Sequence, residues 1–342
     1  MIIDAHGHYT TTPVEVEAWR GRQIAAMATP TKPPLKVSDD EIRESLEKGQ
    51  LRLQAERGTD YAIISPRAST MGHHFGGELI SLYWSQTCNE LIHRIVTLYP
   101  DNFVGACMLP QSPGAPIDNS VRELERCVTE FGFIGCNLSP DPSGGFWTDP
   151  PIGDRYWYPL YEKMVELDVP AMIHVSAACN PAYHSTSSHY INADSTSIVQ
   201  LLMSNVLDDF PTIRFIIPHG GGAIPYQWGR YRGIAMMFDK PPFEEWVKRL
   251  YFDTVVYDFE GVEHLIKRMG VDNVLFASEM IGAVQKIDPN TGQWFDDTKR
   301  YVDAIDWLSD GDREKLYEGN ARKVFPRIVP HLDARTKRLG QD

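Results

Sequence analysis

Eight short apolar runs alternate with amphipathic segments along nearly the whole 342-residue chain. The runs predict strands at residues 1–5, 60–65, 103–109, 133–139, 170–176, 213–219, 250–256 and 273–279. The segments between them predict helices, for instance at residues 39–57, 79–98, 119–131, 156–167, 197–209 and 261–269. Such alternation is typical of parallel strands joined by helical crossovers. Because runs such as FIIPH are continuously apolar, we predict an α/β fold, a (β/α)8 TIM barrel that forms a single domain over residues 1–342.

Three polar segments are too long to be simple connections between these elements. They cover residues 9–37, 140–155 and 179–195, and each follows the carboxyl end of a predicted strand. Barrel enzymes build their active sites from loops at this end of the strands. We therefore expect these segments to be loop insertions at the C-terminal face of the barrel.

Composition argues against several classes of function. A formal charge of −13 without any block of Lys or Arg does not suit a nucleic-acid-binding surface. No apolar stretch reaches the ~18 residues of a membrane span, and the chain does not start with a basic and apolar leader. The five cysteines lack the paired spacings of zinc ribbons or redox motifs, so we expect reduced and mostly buried thiols. These features predict a cytoplasmic protein that binds neither nucleic acid nor membranes.

Polar residues close four of the otherwise apolar runs. His6 and His8 lie two apart at the end of the first run, so both imidazoles project from one face and can reach one ion. His174 and His219 close the fifth and sixth runs, and Glu279 closes the eighth. Core packing does not explain these residues, because buried unpaired polar groups are costly. Convergence at the carboxyl ends of barrel strands predicts a metal-dependent active site.

From DAHGH to EGNARKVF, the chain resembles the amidohydrolase superfamily. It is most similar to the amidohydrolase-related group, which includes aminocarboxymuconate-semialdehyde decarboxylase. The resemblance implies a homodimer with one divalent metal ion per site, most often Zn2+, although the donor set also accepts Mn2+, Fe2+ or Co2+. It implies that His219 is the catalytic neighbour of the ion. The metal ligands that it implies are His6, His8, His174 and Glu279.

Glu279 replaces the aspartate that ends the last strand in most of the superfamily. Together with the DAHGHYT opening, it is similar to a hydratase branch whose substrate is 4-oxalomesaconate. This resemblance implies a hydro-lyase that forms 4-carboxy-4-hydroxy-2-oxoadipate during bacterial breakdown of aromatic compounds. Glu279 is then expected to bind the metal and to accept a proton from water, while His219 transfers a proton, and the two roles can be exchanged.

A polycarboxylate substrate needs fixed cationic groups, and arginine offers bidentate ones. Further polar side chains after the predicted strands can donate hydrogen bonds to such a substrate. The candidate substrate-binding residues are Arg67, His73, His74, Asn137, Tyr190, Asn192, Arg230 and Arg232.

Three other functions remain open at this stage. The first is a metal-dependent, non-oxidative decarboxylase of an aromatic or muconate-type acid, which would use the same ligands and release CO2. The second is a hydrolase of lactones or amides, as is common in the wider superfamily. The third is a metal-binding protein without turnover. Metal ligands that converge among loops at the catalytic face argue against it, because a protein without turnover does not need them there.

Overall fold

The computed structural model describes residues 1–340, in which parallel strands alternate with helices. The strands are Ile3–Tyr9 (β1), Tyr61–Pro66 (β2), Phe103–Gly105 (β3), Cys107–Met108 (β4), Cys136–Leu138 (β5), Ala171–Ile173 (β6), Phe215–Ile217 (β7), Tyr251–Asp253 (β8) and Val274–Leu275 (β9). Every paired neighbour in this series runs parallel. The predicted strand order is therefore confirmed, although the last predicted strand pairs over only two of its residues.

The strands close into a ring. One sheet has the order β1-β2-β3 and the other runs in order from β4 to β9. β3 and β4 belong to one predicted strand that is interrupted at Ala106, whose amide still donates to the second strand. At the opposite edge, Ala5 N donates to Phe276 O at 3.0 Å, and Glu279 N donates to His6 O at 3.0 Å. These two bonds join the last strand to the first, as a TIM barrel requires.

Helices follow the strands along the chain. Their bounds are Val14–Ala25 (α1), Asp39–Lys48 (α2), Gln50–Arg57 (α3), Glu78–Leu98 (α4), Asp118–Glu130 (α5), Tyr158–Glu166 (α6), Tyr190–Leu202 (α7), Val206–Asp209 (α8), Trp228–Met237 (α9), Phe243–Trp246 (α10), Phe259–Met269 (α11), Lys299–Asp303 (α12), Asp310–Glu314 (α13), Asn320–Val324 (α14) and Val329–Leu339 (α15). No helix within residues 1–340 is both long and apolar enough to cross a membrane.

Successive side chains of a strand point to opposite sides, so the strands contribute to two apolar cores. Side chains on one side of each strand, such as Ile64 and Phe252, pack against the helices. Side chains on the other side, such as Ile63 and Ile216, fill the barrel interior together with Phe325 from the C-terminal segment. The barrel interior is therefore a packed core, and polar groups are concentrated where the strands end.

The structure corrects three predicted elements. The predicted helix at 39–57 is two helices that break at Gly49, where a Cβ atom would lie 2.9 Å from the Ser45 carbonyl oxygen. Residues 179–195, predicted as a loop, contain the helical turn Ser185–His189 and the first residues of α7, so that helix starts before residue 197. The predicted loop at 9–37 contains α1. Two of the four buried side chains of α1 are polar, Arg20 and Gln23, and this weakens the apolar periodicity that would predict a helix.

Candidate metal centre and active site

Five side chains meet at the carboxyl ends of the strands. One ligand atom from each of His6, His174, His219 and Glu279 lies within 4.8 Å of the others. His8 completes the group, because its Nε2 atom lies 3.0 Å from His6 Nε2 and 3.9 Å from Glu279 Oε1. None of the five side chains is more than 7% exposed. We call these five residues the histidine–glutamate cluster.

Each imidazole of the cluster is oriented through its Nδ1 atom. The groups that contact Nδ1 are Asp253 Oδ2 at 2.7 Å from His6, Ser65 Oγ at 2.8 Å and Pro66 O at 3.2 Å from His8, Val175 O at 2.8 Å from His174, and Asp194 Oδ2 at 2.9 Å from His219. Carboxylate and carbonyl oxygens only accept hydrogen bonds, so each Nδ1 carries a proton and each neutral ring keeps an Nε2 lone pair. Metal-binding histidines are oriented in this way by their second nitrogen.

The Nε2 atoms fit a divalent cation. Those of His174 and His219 are buried without a hydrogen-bond partner within residues 1–340, and those of His6 and His8 face each other. Buried polar atoms without partners are costly, so the arrangement of His6, His8 and His174 is unfavourable unless a cation accepts their Nε2 lone pairs. Imidazole nitrogens with a carboxylate oxygen are a preferred donor set of Zn2+ and of other first-row metals.

Distances alone do not separate the predicted ligands from the predicted catalytic neighbour. His219 Nε2 lies 4.0 Å from Glu279 Oε2, while His8 Nε2 lies 3.9 Å from the other carboxylate oxygen. The four residues whose ligand atoms all lie within 4.8 Å of one another include His219 and not His8. The ligand set of His6, His8, His174 and Glu279, with His219 beside it, stays a prediction.

Electrostatics distinguish His219 from His8 and His174. Burial lowers the pKa of His8 and of His174 well below the ordinary value, and the neighbouring imidazoles lower it further. Burial is the largest single influence on His219 and opposes its protonation. The charge and hydrogen bond of Asp194, together with the charges of Glu279 and Asp253, outweigh burial and raise the pKa of His219 to about 9. His219 is therefore better suited than His8 or His174 to hold a proton at neutral pH.

Two cavities reach the cluster from different sides. The first is lined by His8, Glu279 and Tyr190, and Arg67 forms part of its wall. The second has a volume of about 490 Å3, and its lining includes His219, Asp258 and Glu260. The first cavity has the guanidinium of Arg67 beside the carboxylate of Glu279, and the second has two carboxylates beside His219. Because Arg67 is permanently charged, the first cavity is the better one for an anionic molecule.

Comparison with known proteins identifies the family. Residues 3–327 match the family model described as amidohydrolase. The chain belongs to the amidohydrolase family. This confirms the resemblance that the sequence motifs indicated.

Two similar proteins are hydratases. The 2-keto-4-carboxy-3-hexenedioate hydratase of Sphingobium sp. (strain NBRC 103272 / SYK-6) is 55% identical to this amidohydrolase over 338 residues, which are 98% of this chain and 99% of the relative. The crystal structure of 4-oxalomesaconate hydratase from Rhodopseudomonas palustris superposes with a TM-score of 0.91 at 50% identity, and the match covers 98% of this chain and 99% of that one. A dihydroxybenzoic acid decarboxylase from Polaromonas sp. JS666, solved with bound manganese, shares the fold at a TM-score of 0.70 and 20% identity, over 95% of this chain and 96% of that one.

Three of the predicted substrate-binding residues lie at the cluster of this amidohydrolase. Arg67 and Tyr190 line the cavity beside Glu279. The Tyr190 ring centroid lies 4.9 Å from that of His174. Asn137 instead donates to Ser65 Oγ at 3.1 Å, the same oxygen that contacts His8. Asn137 thus supports a histidine of the cluster through Ser65.

The other five predicted substrate-binding residues, within residues 1–340, do not line the cavity that contains Arg67. His73 is buried with its Nδ1 atom 3.5 Å from Ser81 Oγ, His74 lies beside Gly144, Asn192 is exposed on α7, and Arg230 and Arg232 are exposed on α9. Contact of these five residues with a substrate stays a prediction.

Asp253, Asp194 and Tyr257 contact the cluster and were not predicted. Asp253 could have been noticed in the sequence, because it is a charged residue within the apolar run YFDTVV. It is fully buried, and its Oδ1 atom also accepts from the amides of Gly220 and Val255 at 3.3 and 3.2 Å. Asp194 lies within α7 and Tyr257 follows β8, and no motif marks either residue.

Replacing Asp253 by asparagine is expected to weaken metal retention. If the side-chain oxygen of the new asparagine still accepts from the two backbone amides, its NH2 group faces His6 Nδ1. That nitrogen must then accept a hydrogen bond, so the proton of the ring moves to Nε2. Loss of such an orienting group lowers metal affinity roughly 10- to 100-fold. Competition with a chelator, followed by measurement of the bound metal, checks this.

The matched control is Asp141→Asn, which changes a buried carboxylate that accepts hydrogen bonds from Ser143, Gly145 and Trp147. Both variants are expected to lose stability, but metal retention should fall in Asp253→Asn alone. Equal metal retention in the two variants would contradict the orienting role of Asp253.

Proposed function

We propose that this amidohydrolase is a metal-dependent hydro-lyase that adds water to 4-oxalomesaconate and forms 4-carboxy-4-hydroxy-2-oxoadipate. The proposal is carried by 55% identity to a hydratase over 98% of the chain. The named substrates of both hydratase relatives are unsaturated keto acids with several carboxylates. Glu279 in place of an aspartate, which first indicated this branch, is part of the buried cluster.

The proposed cofactor is one divalent ion, with Zn2+ the first choice. His6, His8, His174 and Glu279 would hold it, and His219 would lie beside it. When bound, such an ion supplies Lewis-acid polarisation of an oxygen atom. The donor set also suits Mn2+, the metal in the structure of the decarboxylase from Polaromonas.

The chain's own residues supply the proton transfers. Addition of water to a double bond conjugated with a keto group needs a base for the water and an acid that protonates carbon. We assign the base to Glu279 and the acid to His219, which Asp194 holds by its Nδ1 atom at 2.9 Å. His219 Nε2 and Glu279 Oε2 lie 4.0 Å apart, so both groups can reach the same bound substrate.

We assign one substrate carboxylate to the cavity that contains Arg67, which has a volume of about 40 Å3. Hydroxyl groups of Thr10, Ser69 and Thr186 line the same cavity and can donate hydrogen bonds to anionic oxygens. The second cavity does not suit a tricarboxylate because Asp258 and Glu260 are in its lining. Charge therefore supports the cavity that contains Arg67 as the place of a substrate carboxylate.

An ultraviolet assay tests the proposal. The purified enzyme is mixed with 4-oxalomesaconate, and the expected result is loss of the absorbance of the conjugated double bond without release of CO2. Parallel incubations with aromatic and muconate-type acids measure CO2. Release of CO2 from these acids, with 4-oxalomesaconate left unchanged, would identify a decarboxylase instead.

Arg67→Gln is expected to raise the KM for 4-oxalomesaconate. The change removes a charged, bidentate partner of a carboxylate, an interaction worth about 1.5–3 kcal/mol, or roughly a 10- to 100-fold change. Steady-state kinetics measure it. Arg52→Gln is the control, because Arg52 is exposed on α3 and pairs with Glu56 at 2.7 Å. An unchanged KM in Arg67→Gln would place the substrate elsewhere.

We also propose a cytoplasmic homodimer in which each chain forms one domain. All five cysteines are free, as is usual in a reducing compartment. Tyr226, Met236, Met237 and Phe238 lie close together in sequence and are between 58% and 84% exposed, and exposed apolar side chains of this kind support self-association. Sedimentation analysis of the purified enzyme measures the oligomeric state.

A further inference from the structure

The hydroxyl group of Tyr257 contacts the carboxylate of the cluster. It donates a hydrogen bond to Glu279 Oε2 at 2.8 Å. The other carboxylate oxygen, Oε1, lies 3.9 Å from His8 Nε2 and 4.0 Å from His174 Nε2. The final torsion of a glutamate side chain is broad, so the carboxylate rotates easily unless a partner holds it. The bond from Tyr257 thus selects which oxygen faces the two histidines.

Both ends of this hydrogen bond lie on unusual backbone. The φ angles of Tyr257 and Glu279 are 64° and 50°, in the left-handed region that side chains larger than glycine rarely adopt. Such conformations persist where the surrounding structure holds them, and they are frequent at functional sites. Tyr301 Oη donates to the Tyr257 carbonyl at 3.0 Å, and Ile281 N donates to Asp296 at 3.0 Å. Separate hydrogen bonds therefore hold the backbone at Tyr257 and the backbone that follows Glu279.

We propose that Tyr257 is a positioning residue, whose hydroxyl group holds the Glu279 carboxylate with one oxygen toward His8 and His174 and the other toward His219. This inference rests on the proposed function, because Tyr257 acts on turnover through Glu279 as metal ligand and proton acceptor. Without the hydroxyl group, the carboxylate samples other rotations and presents its oxygens to the histidines less often. Both metal retention and turnover then fall.

The test compares Tyr257→Phe with Tyr161→Phe, each of which removes a single hydroxyl group. Tyr161 is fully buried and donates to the Ile152 carbonyl at 2.6 Å. In Tyr257→Phe, we expect metal affinity in chelator competition and kcat each to fall roughly 10- to 100-fold. KM is expected to stay within about 2-fold, since Tyr257 binds the carboxylate of the enzyme. Tyr161→Phe should change none of these quantities, and thermal unfolding shows whether each variant folds.

A double variant separates positioning from a general structural role. If Tyr257 acts through the carboxylate, adding Tyr257→Phe to Glu279→Gln should change metal retention less than about 2-fold. Wild-type metal retention and kcat in Tyr257→Phe, or an undiminished loss in the Glu279→Gln background, would overturn the proposal. If the wild-type enzyme leaves 4-oxalomesaconate unchanged while Tyr257→Phe still loses its metal more readily than Tyr161→Phe, the proposed function fails and the positioning role stands.

Discussion

Glu279→Gln is expected to lower the kcat for hydration of 4-oxalomesaconate roughly 1000-fold, within the range of general acid–base catalysis. The amide has nearly the same shape as the carboxylate but cannot accept a proton from water at neutral pH. Its NH2 group would also face either Tyr257 or the histidines, where the carboxylate now offers oxygens at 2.8 to 4.0 Å. The variant is therefore expected to lose both the base and part of the metal affinity.

Measurement of bound metal separates these two losses. Turnover is assayed by ultraviolet absorbance with metal added until the site is saturated, so that the remaining defect reports the loss of the base. Glu130→Gln is the control, since Glu130 is exposed at the end of α5. Wild-type turnover in metal-saturated Glu279→Gln would refute the proton-accepting role and would return the function to the other candidates.

Removal of the metal is expected to lower turnover by roughly 1000-fold or more, because Lewis-acid polarisation supplies several kcal/mol of transition-state stabilisation. In the metal-free enzyme, four buried imidazoles and a carboxylate face one another without a cation. Burial keeps the pKa of His8 and of His174 well below the ordinary value, so protonation of these two rings does not replace the cation at neutral pH. Thermal stability is expected to fall together with turnover.

Dialysis against a chelator, followed by stepwise return of Zn2+ or Mn2+, measures both effects. One ion per chain should restore turnover and raise the unfolding temperature. The metal that restores the higher kcat at equal occupancy indicates which one the site uses. Full activity after the metal content has fallen to background would show that the histidine–glutamate cluster is not a metal-dependent active site.

Much of the fold and of the cluster could be predicted from the residues that stand at the ends of the apolar runs. A strand end in a parallel barrel has a known place in space, so residues that close such runs must converge. This is why His174, His219 and Glu279 could be placed beside His6 and His8 before their distances were known. The α1 helix was missed because Arg20 and Gln23 are part of its buried side, so its polar residues resembled those of a loop.

Substrate contacts were harder to predict because loop residues carry no such geometric constraint. Arg67 follows a strand directly and lies beside Glu279, whereas Arg230 and Arg232 lie on the exposed face of a helix. The register of the strand determines where Arg67 lies. The path of a loop and the rotation of a helix determine where Arg230 and Arg232 lie, and both depend on packing with distant parts of the chain.

The sequence by itself determined the barrel, the family and the five residues of the cluster, because strand periodicity places polar strand ends at one face. Only the tertiary structure decided which partners orient them. Asp253 reaches His6 across 247 positions of sequence, and Tyr257 reaches Glu279 across 22. Such contacts arise when separate strands and loops pack side by side, and each makes a single short hydrogen bond that leaves no periodic pattern in the sequence. The proton positions on the imidazoles, and the orientation of the Glu279 carboxylate, follow from those contacts.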